Sequence, residues 1–324
     1  MYPADVRQDR PVEVFMAHMD VVFPDESELP LRVEDGRIYC PGVGDDTACL
    51  VCLLLAGKYI AEHVDSPQWR EIRREDAPGL LLVCNAGEEG LGNLKGVHKI
   101  CEDFGDRIER FCTFDSSLSS IVDRAVGSKR FRVRVRTRGG HSYDDFGNDN
   151  AIAGLASLVG KLYGIRVPEG GKTTYNVGMI SGGTSVNTIA QEAEMLYEFR
   201  SDRRENLEYM ERQFMKVIDR GKSEGMDVSL EIIGVRPCEG PVDPKRKQAL
   251  SDWAHRVVEE MTGQAPKHCA GSTDCNIPLS LGIPSVCVGS FRGAGAHTWE
   301  EYVETDSLEE GYKVAFGMIF GSRD

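Results

Sequence analysis

Residues 12–20 read VEVFMAHMD, an almost wholly apolar run that stops on His18 and Asp20. A run of this kind suits a short strand buried on both faces that hands its last residues to a site. The same pattern returns further along. Pro78-Gly79 opens Leu80–Cys84, which leads into Gly87-Glu88-Glu89-Gly90, and Phe111–Phe114 leads into Asp115. Between the first two runs, Asp45 precedes a long apolar stretch, Ala48–Ile60, with helical length and no breaker before Gly57. Continuously apolar strands alternating with helices predict an α/β fold with a mostly parallel sheet covered on both faces. Polar residues at the strand ends fit the rule that open α/β sheets bind at their carboxyl edge.

The pattern changes after Gly127. Phe131–Arg138 reads FRVRVRTR, apolar and basic in strict alternation, as expected of a strand with one wet face. A helix over about 150–163 follows, then strands near 174–180 and 192–199, a charged helix over about 204–222 and a strand at 228–233. Strand-helix-strand-strand-helix-strand is a ferredoxin-like βαββαβ sandwich. After Pro237, a helix at 244–262 and an apolar strand at 285–289 resume the first pattern. The expected division is residues 1–126 with 236–324 as one domain and 127–235 as an insertion.

The chain of 324 residues, 41% of them apolar, is comfortable for two ordinary cores. Its net charge of −14 comes from 38 basic against 52 acidic residues, without a Lys/Arg block. That field argues against nucleic acid and anionic membrane as partners. The longest apolar stretch, 48–56, is too short to span a bilayer, and the start MYPADVRQDRPVEV lacks a secretory pattern, so a cytoplasmic location is expected. The 10 Cys form no framework and read as buried free thiols of a reducing compartment. Cys49 and Cys52 have C-x-x-C spacing among Leu and Val, with no flanking charge to activate a thiol.

Several short polar segments carry chemistry. In His18-Met19-Asp20 the outer side chains lie on one side of an extended chain. Asp20 can then accept the far imidazole N–H and leave the other ring nitrogen for a metal, unless the two are a surface pair at a strand end. Gly42-Val43-Gly44-Asp45-Asp46 is either a glycine turn with an Asp helix cap or a carboxylate bridging two ions where glycines permit close approach. Adjacent Glu88 and Glu89 at a buried strand end are costly without a cation; Glu89 is assigned to the metal and Glu88 to the general base. Asp115 is a helix cap or a ligand, and His297 in GAGAHTWEE a surface residue or a ligand. Taken together, His18, Asp45, Glu89, Asp115 and His297 suffice for two divalent ions sharing a carboxylate, with Asp20 as orienter. Zinc suits the mixed imidazole and carboxylate donors, and cobalt or manganese would fit similar ligands. This set reads as a two-metal hydrolase. In the insertion, Gly139-Gly140-His141-Ser142, Gly182–Asn187 and Arg200 are either hairpin turns or substrate contacts. As contacts, His141 and Asn187 would polarise a carbonyl and Arg200 would hold a carboxylate.

The motifs AHMDVVFP, PGVGDDTA, NAGEEG, GGHS…NDNAI, GSTDCNIPLSLGIPSV and GAHTWEE, spread over nearly the whole chain, resemble the co-catalytic zinc peptidases of metallopeptidase family 20. GSTDCNIP and GGHSYDDFG look most like its peptidase T-like branch. The resemblance implies His18, Asp45 and Asp115 on one ion and Asp45, Glu89 and His297 on the other, with Glu88 as base, Asp20 behind His18 and a cis Asp45–Asp46 peptide. It also implies a homodimer formed through the inserted (lid) domain, in which His141 reaches the partner's active site. Asn187 and Arg200 match substrate-side positions, and the turn holding Ser272 and Thr273 lines the cleft. Family members carry a helix and strands ahead of the H-x-D strand, whereas His18 comes almost at once here. A shortened start would leave an exposed sheet edge or a bare core.

The expected activity is a two-zinc exopeptidase of small peptides, a tri- or dipeptide aminopeptidase in which Glu88 takes a proton from water and returns it to the leaving amine. The alternative within the same chemistry is an N-acyl-amino-acid amidohydrolase. From another class, the chain is a non-catalytic dimeric binding protein whose site was lost with its N-terminus.

Overall fold

A computed structural model describes residues 10–23, 28–67 and 77–321 of the chain. Val12–His18 forms β1, buried along its whole length. Arg32–Glu34 (β2) and Arg37–Tyr39 (β3) make a hairpin closed by Asp35 and Gly36, whose φ angles of 49° and 73° are those of a tight primed turn. Cys49–His63 (α1) follows, then Gly79–Asn85 (β4), Lys95–Phe104 (α2), Ile108–Phe114 (β5) and Ser120–Ala125 (β6). β1 sits between β4 and β5 and is parallel to both. The apolar runs of β1 and β5 are therefore inner strands, where an apolar side chain is needed on each face, while β4 is the last strand on its side and is only partly buried.

The chain divides here: Val126–Cys238 is one compact unit, and the flanking segments Met1–Ala125 and Glu239–Asp324 together form the other. The inserted unit begins with Gly127–Arg136 (β7), Gly140–His141 (β8) and Ala151–Tyr163 (α3). It continues with Thr173–Gly182 (β9), Thr188–Ile189 (β10), Glu192–Ser201 (β11), Arg204–Ser223 (α4) and Asp227–Arg236 (β12). The antiparallel order β12-β7-β11-β9 is that of a ferredoxin-like sandwich. Phe131, Val133 and Val135 of β7 pack with Met195, Tyr197 and Phe199 of β11 against Leu155, Leu158 and Phe214 of the two helices. On the other face of the sheet, Arg130, Arg134 and Arg136 lie directly across from Glu198, Glu194 and Glu192. The alternation in FRVRVRTR thus becomes one apolar face and one ladder of cross-strand charge pairs, each contributing about 0.2–1 kcal/mol.

The first unit resumes with Pro244–Thr262 (α5), Lys267–Gly271 (β13), Asn276–Ser280 (α6), Ser285–Val288 (β14), Gly293–Ala294 (β15), Tyr302–Glu304 (β16) and Ser307–Phe320 (α7). α5 starts on Asp243, whose Oδ1 accepts the N–H of Lys245 and Arg246, with Pro244 in the first turn, and it stops at Gly263 with φ 70°. The main sheet runs β13-β6-β14-β5-β1-β4. Four neighbouring strands, β14, β5, β1 and β4, are parallel, while β6 is antiparallel to β14 and carries β13 with it. The protein is thus of mixed α/β class with a mostly parallel sheet. The core on one face of the sheet joins Phe15 and Phe114 to Leu53 of α1, Trp253 of α5 and Met318 of α7. Each such side chain contributes roughly 1.5–3 kcal/mol on burial.

Candidate metal centre

The carboxyl ends of β1, β4 and β5 lie side by side, so His18, the loop after Asn85 and Asp115 are neighbours by construction. Asp45 arrives from the loop before α1, and His297 from the loop between β15 and β16. His18 Nε2 lies 3.0 Å from Asp45 Oδ1 and 3.8 Å from Asp115 Oδ1. His297 Nε2 lies 2.9 Å from Asp45 Oδ2 and 3.3 Å from Glu89 Oε1. The two oxygens of one carboxylate therefore face two different imidazoles. Among the described residues, the groups of ligand atoms close enough to share an ion are Asp45, Glu89 and His297; His18, Asp46 and Asp115; and His18, Glu88 and Glu89, each set within 4.8 Å.

The crowding of carboxylates governs the local electrostatics. Burial opposes protonation of His18, but the nearby carboxylates of Asp115 and Asp45 and the charge of Asp46 outweigh it and push the imidazole's pKa up. For Asp45, burial is outweighed by the hydrogen bond and charge of His18 and by His297, which hold its carboxyl below the usual range. Glu89 is raised by burial and by the charge of Asp45, and Asp46 well above its ordinary value by burial and Asp115. The donor set is imidazole nitrogens and carboxylate oxygens with negative charge in excess, which suits zinc-like divalent cations.

Asp20 behaves differently from the sequence expectation. His18 Nδ1 is met at 2.9 Å by the backbone carbonyl of Asp20, while the Asp20 carboxylate stands 3.8 Å away. That carboxylate instead accepts the N–H groups of Gly87, Glu88 and Glu89 at 2.9, 3.4 and 2.9 Å. The reason is competition: clustered amides of a tight loop satisfy a carboxylate better than one imidazole N–H that a carbonyl already serves. Asp20 therefore shapes the loop that presents the Glu pair. Glu88 itself is buried, 4% exposed.

Neither Asp45 nor Asp46 caps α1, which begins after Ala48 without a side-chain cap. The Asp45–Asp46 peptide is cis, and Asp46 turns inward so that its Oδ2 accepts the backbone N–H of His18 at 2.9 Å. Asp115 does not cap a helix either; the chain turns after it into β6. Two residues with a part in this architecture were not singled out by sequence reasoning. Asp46 was seen only as Asp45's neighbour. Glu301, buried and 2% exposed, accepts the N–H of Gly42 at 2.7 Å, of Gly44 at 2.9 Å and of Asp45 at 2.8 Å. Its signal was present in GAHTWEE, where an acidic pair follows His297.

A cavity of about 270 Å³ adjoins Asp45 and Asp115 and is walled by Ser116, Ser117, Phe291 and the segment 293–296. A larger groove of about 930 Å³ lies at the amino ends of the strands, beside Pro11, Ile108 and Pro284, and contains none of the residues above. Thr273 is buried, with its backbone N–H donating to Asn276 Oδ1 and its hydroxyl accepting the N–H of Cys275 at 3.2 Å, so that hydroxyl is engaged within its own turn. Ser272, next to it, is half-buried.

The inserted unit holds the other expected contacts. β8 pairs with β10, which brings His141 beside the turn of Asn187, and the Ser142 N–H donates to the Asn187 carbonyl at 3.0 Å. His141 is exposed, its Nδ1 3.3 Å from Asp144. The Arg200 fork is engaged by Glu198, with Nε and Nη2 at 2.9 and 3.1 Å from its two oxygens. Asn187 and Arg200 thus sit in one unit, yet the carboxylate facing Arg200 is the protein's own. Both members of the C-x-x-C pair, Cys49 and Cys52, are free buried thiols with pKa values raised by burial, which makes them inert.

No helix among the described residues is long and apolar enough to cross a membrane. The family description "Peptidase family M20/M25/M40" matches residues 14–320. A succinyl-diaminopimelate desuccinylase of Bordetella parapertussis is 24% identical, the match covering 92% of this chain and 79% of that one. Among solved structures, aminopeptidase PepT of Bacillus cereus is similar with a TM-score of 0.68 at 22% identity, covering 98% of this chain and 82% of that one. A tripeptidase of Staphylococcus aureus gives the same TM-score and identity over 97% of this chain and 81% of that one. The chain belongs to peptidase family M20/M25/M40 and is a hydrolase of that metallopeptidase family.

Proposed function

We propose that the protein hydrolyses an amide bond of small peptides as a tri- or dipeptide aminopeptidase, with two divalent cations, zinc by preference, held on either side of Asp45. The observation that carries this reading is the division of Asp45, one oxygen toward His18 and the other toward His297. His18 and Asp115 would hold one cation, Glu89 and His297 the other. Bound there, the cations supply Lewis acidity toward a water and the scissile carbonyl. Glu88 accepts the water's proton as its oxygen forms the new C–O bond, then delivers that proton to the nitrogen as the C–N bond breaks. Asp20 and Glu301 keep the two loops in place through backbone amides.

Asn187 and His141 are assigned to the substrate carbonyl. His141 would act from the partner subunit of a homodimer built through the inserted unit, in keeping with its exposure beside Tyr143 and Phe146, 84% and 90% exposed. Arg200 would hold a substrate carboxylate by exchanging it for Glu198. The free thiols suit a reducing compartment such as the cytoplasm. A second reading, an N-acyl-amino-acid amidohydrolase, is supported by the desuccinylase name of the Bordetella relative. Turnover of tri- and dipeptides against N-acetyl and N-succinyl amino acids by zinc-loaded protein separates the two. The first reading expects peptides to be favoured; faster cleavage of succinyl substrates would replace it with the second, and no hydrolysis of either would defeat both.

A further inference from the structure

We infer that Glu301 is a positioning residue that sets where the shared carboxylate Asp45 stands. This rests on the two-cation reading above and extends it to a residue outside the ligand set. The loop before Asp45 is held from within only by the Val43 N–H on the Cys40 carbonyl and the Thr47 N–H on that of Gly42, at 3.0 and 3.1 Å, and by Val43 against the core. Gly42 has φ 78°, and a Cβ there would come within 2.4 Å of Val21, while a Cβ on Gly44 would meet the Phe291 ring at 2.7 Å. Glycines at both places let the chain pass, but they offer no polar side chain to take up the N–H groups of Gly42, Gly44 and Asp45. The anchor comes from Glu301. Its Oε2 takes the Gly42 N–H and its Oε1 takes those of Gly44 and Asp45, three bonds of 2.7–2.9 Å.

The anchor also joins two distant segments. Glu301 lies four residues after His297 in the same loop, so one buried carboxylate ties the strand of chain carrying Asp45 to the one carrying His297. Those two ligands face each other at 2.9 Å. Its neighbour Glu300 shows the contrast: that side chain is 76% exposed and pairs with Arg32 at the surface. Asp20 applies the same device to the loop of Glu88 and Glu89.

The clasp demands a group that only accepts. Glutamine has the shape of glutamate, but its NH2 would face an N–H in either orientation, at Gly42 or at Gly44 and Asp45. An aspartate keeps acceptor-only chemistry but falls one methylene short. The test uses the full chain loaded with cobalt, comparing Glu301→Gln and Glu301→Asp with the surface control Glu300→Gln by calorimetry and visible d–d absorption. Expected is a loss of cobalt affinity of roughly 10- to 100-fold in Glu301→Gln, with altered d–d bands and a smaller loss in Glu301→Asp. Wild-type affinity and spectrum in folded Glu301→Gln would overturn the inference, because a packing role alone is met by an isosteric amide. If Glu301→Gln does not fold, Glu301→Asp carries the test, and an unchanged spectrum and affinity there overturns it equally. Should the unaltered chain take up no cobalt, it is the two-cation reading that fails instead.

Discussion

Replacing Asp45 by Asn removes one oxygen from a carboxylate that serves two imidazoles, at 3.0 Å on one side and 2.9 Å on the other. The amide keeps the shape of the side chain, but its NH2 has no lone pair for a cation. Only one of the two sites should therefore lose a protein ligand; the other loses shared charge. Four-ligand structural zinc sites bind with about 10–16 kcal/mol, so one ligand corresponds to about 2.5–4 kcal/mol. At 1.4 kcal/mol per decade, the affected site should weaken on the order of 100-fold or more. The spared site should stay within about tenfold, the scale of an outer-shell change. Calorimetric titration of dialysed protein reads this as two tight sites in the unaltered chain and one in Asp45→Asn. Two sites of undiminished affinity would refute the bridging role. Loss of both sites from a variant with native near-UV dichroism would refute the single-oxygen reasoning.

Glu88→Gln should lower turnover by roughly 10²- to 10⁴-fold with both cations still bound, as for loss of a general base; near-normal turnover removes Glu88 from that role. Stripping the cations with a chelator should lower the melting temperature reversibly, since cation at 100 times its Kd adds about 2.7 kcal/mol per site, and an unmoved melting curve would speak against binding to the folded state. Asn150→Ala should cost the inserted unit about 1 kcal/mol, because its side chain caps α3 through the N–H of Ile152 and Ala153, and a denaturant midpoint equal to the parent's would show the cap to be idle.

How far the sequence reads into the structure follows from which forces are local. Apolar runs at 12–17 and 111–114 were legible as inner strands because burial on both faces leaves no room for alternation, whereas the equally apolar run 80–84 is the last strand on its side and is only partly buried. The polar residues ending them were legible because parallel strands deliver their carboxyl ends to one edge. The strands β6 and β13 were not legible at all, since SIVDRA and KHCAG are short, mixed in polarity and only partly buried, and carry neither a continuous apolar run nor a clean alternation. Partners of single carboxylates were the least legible. Spacing suggested that Asp20 faces His18, yet it is the fold of the loop after β4 that brings three amides within its reach. Glu300 and Glu301 are chemically identical in sequence, and only the approach of the Gly42–Asp45 loop, some 250 positions away, buries one and leaves the other at the surface.

The decisive observation is the anomalous diffraction of crystals grown with zinc. Two peaks should flank Asp45 at about 2.0–2.2 Å from its separate oxygens, one within reach of His18 and Asp115, the other of Glu89 and His297. A single peak, or none between those side chains in zinc-replete crystals, would contradict the two-cation site.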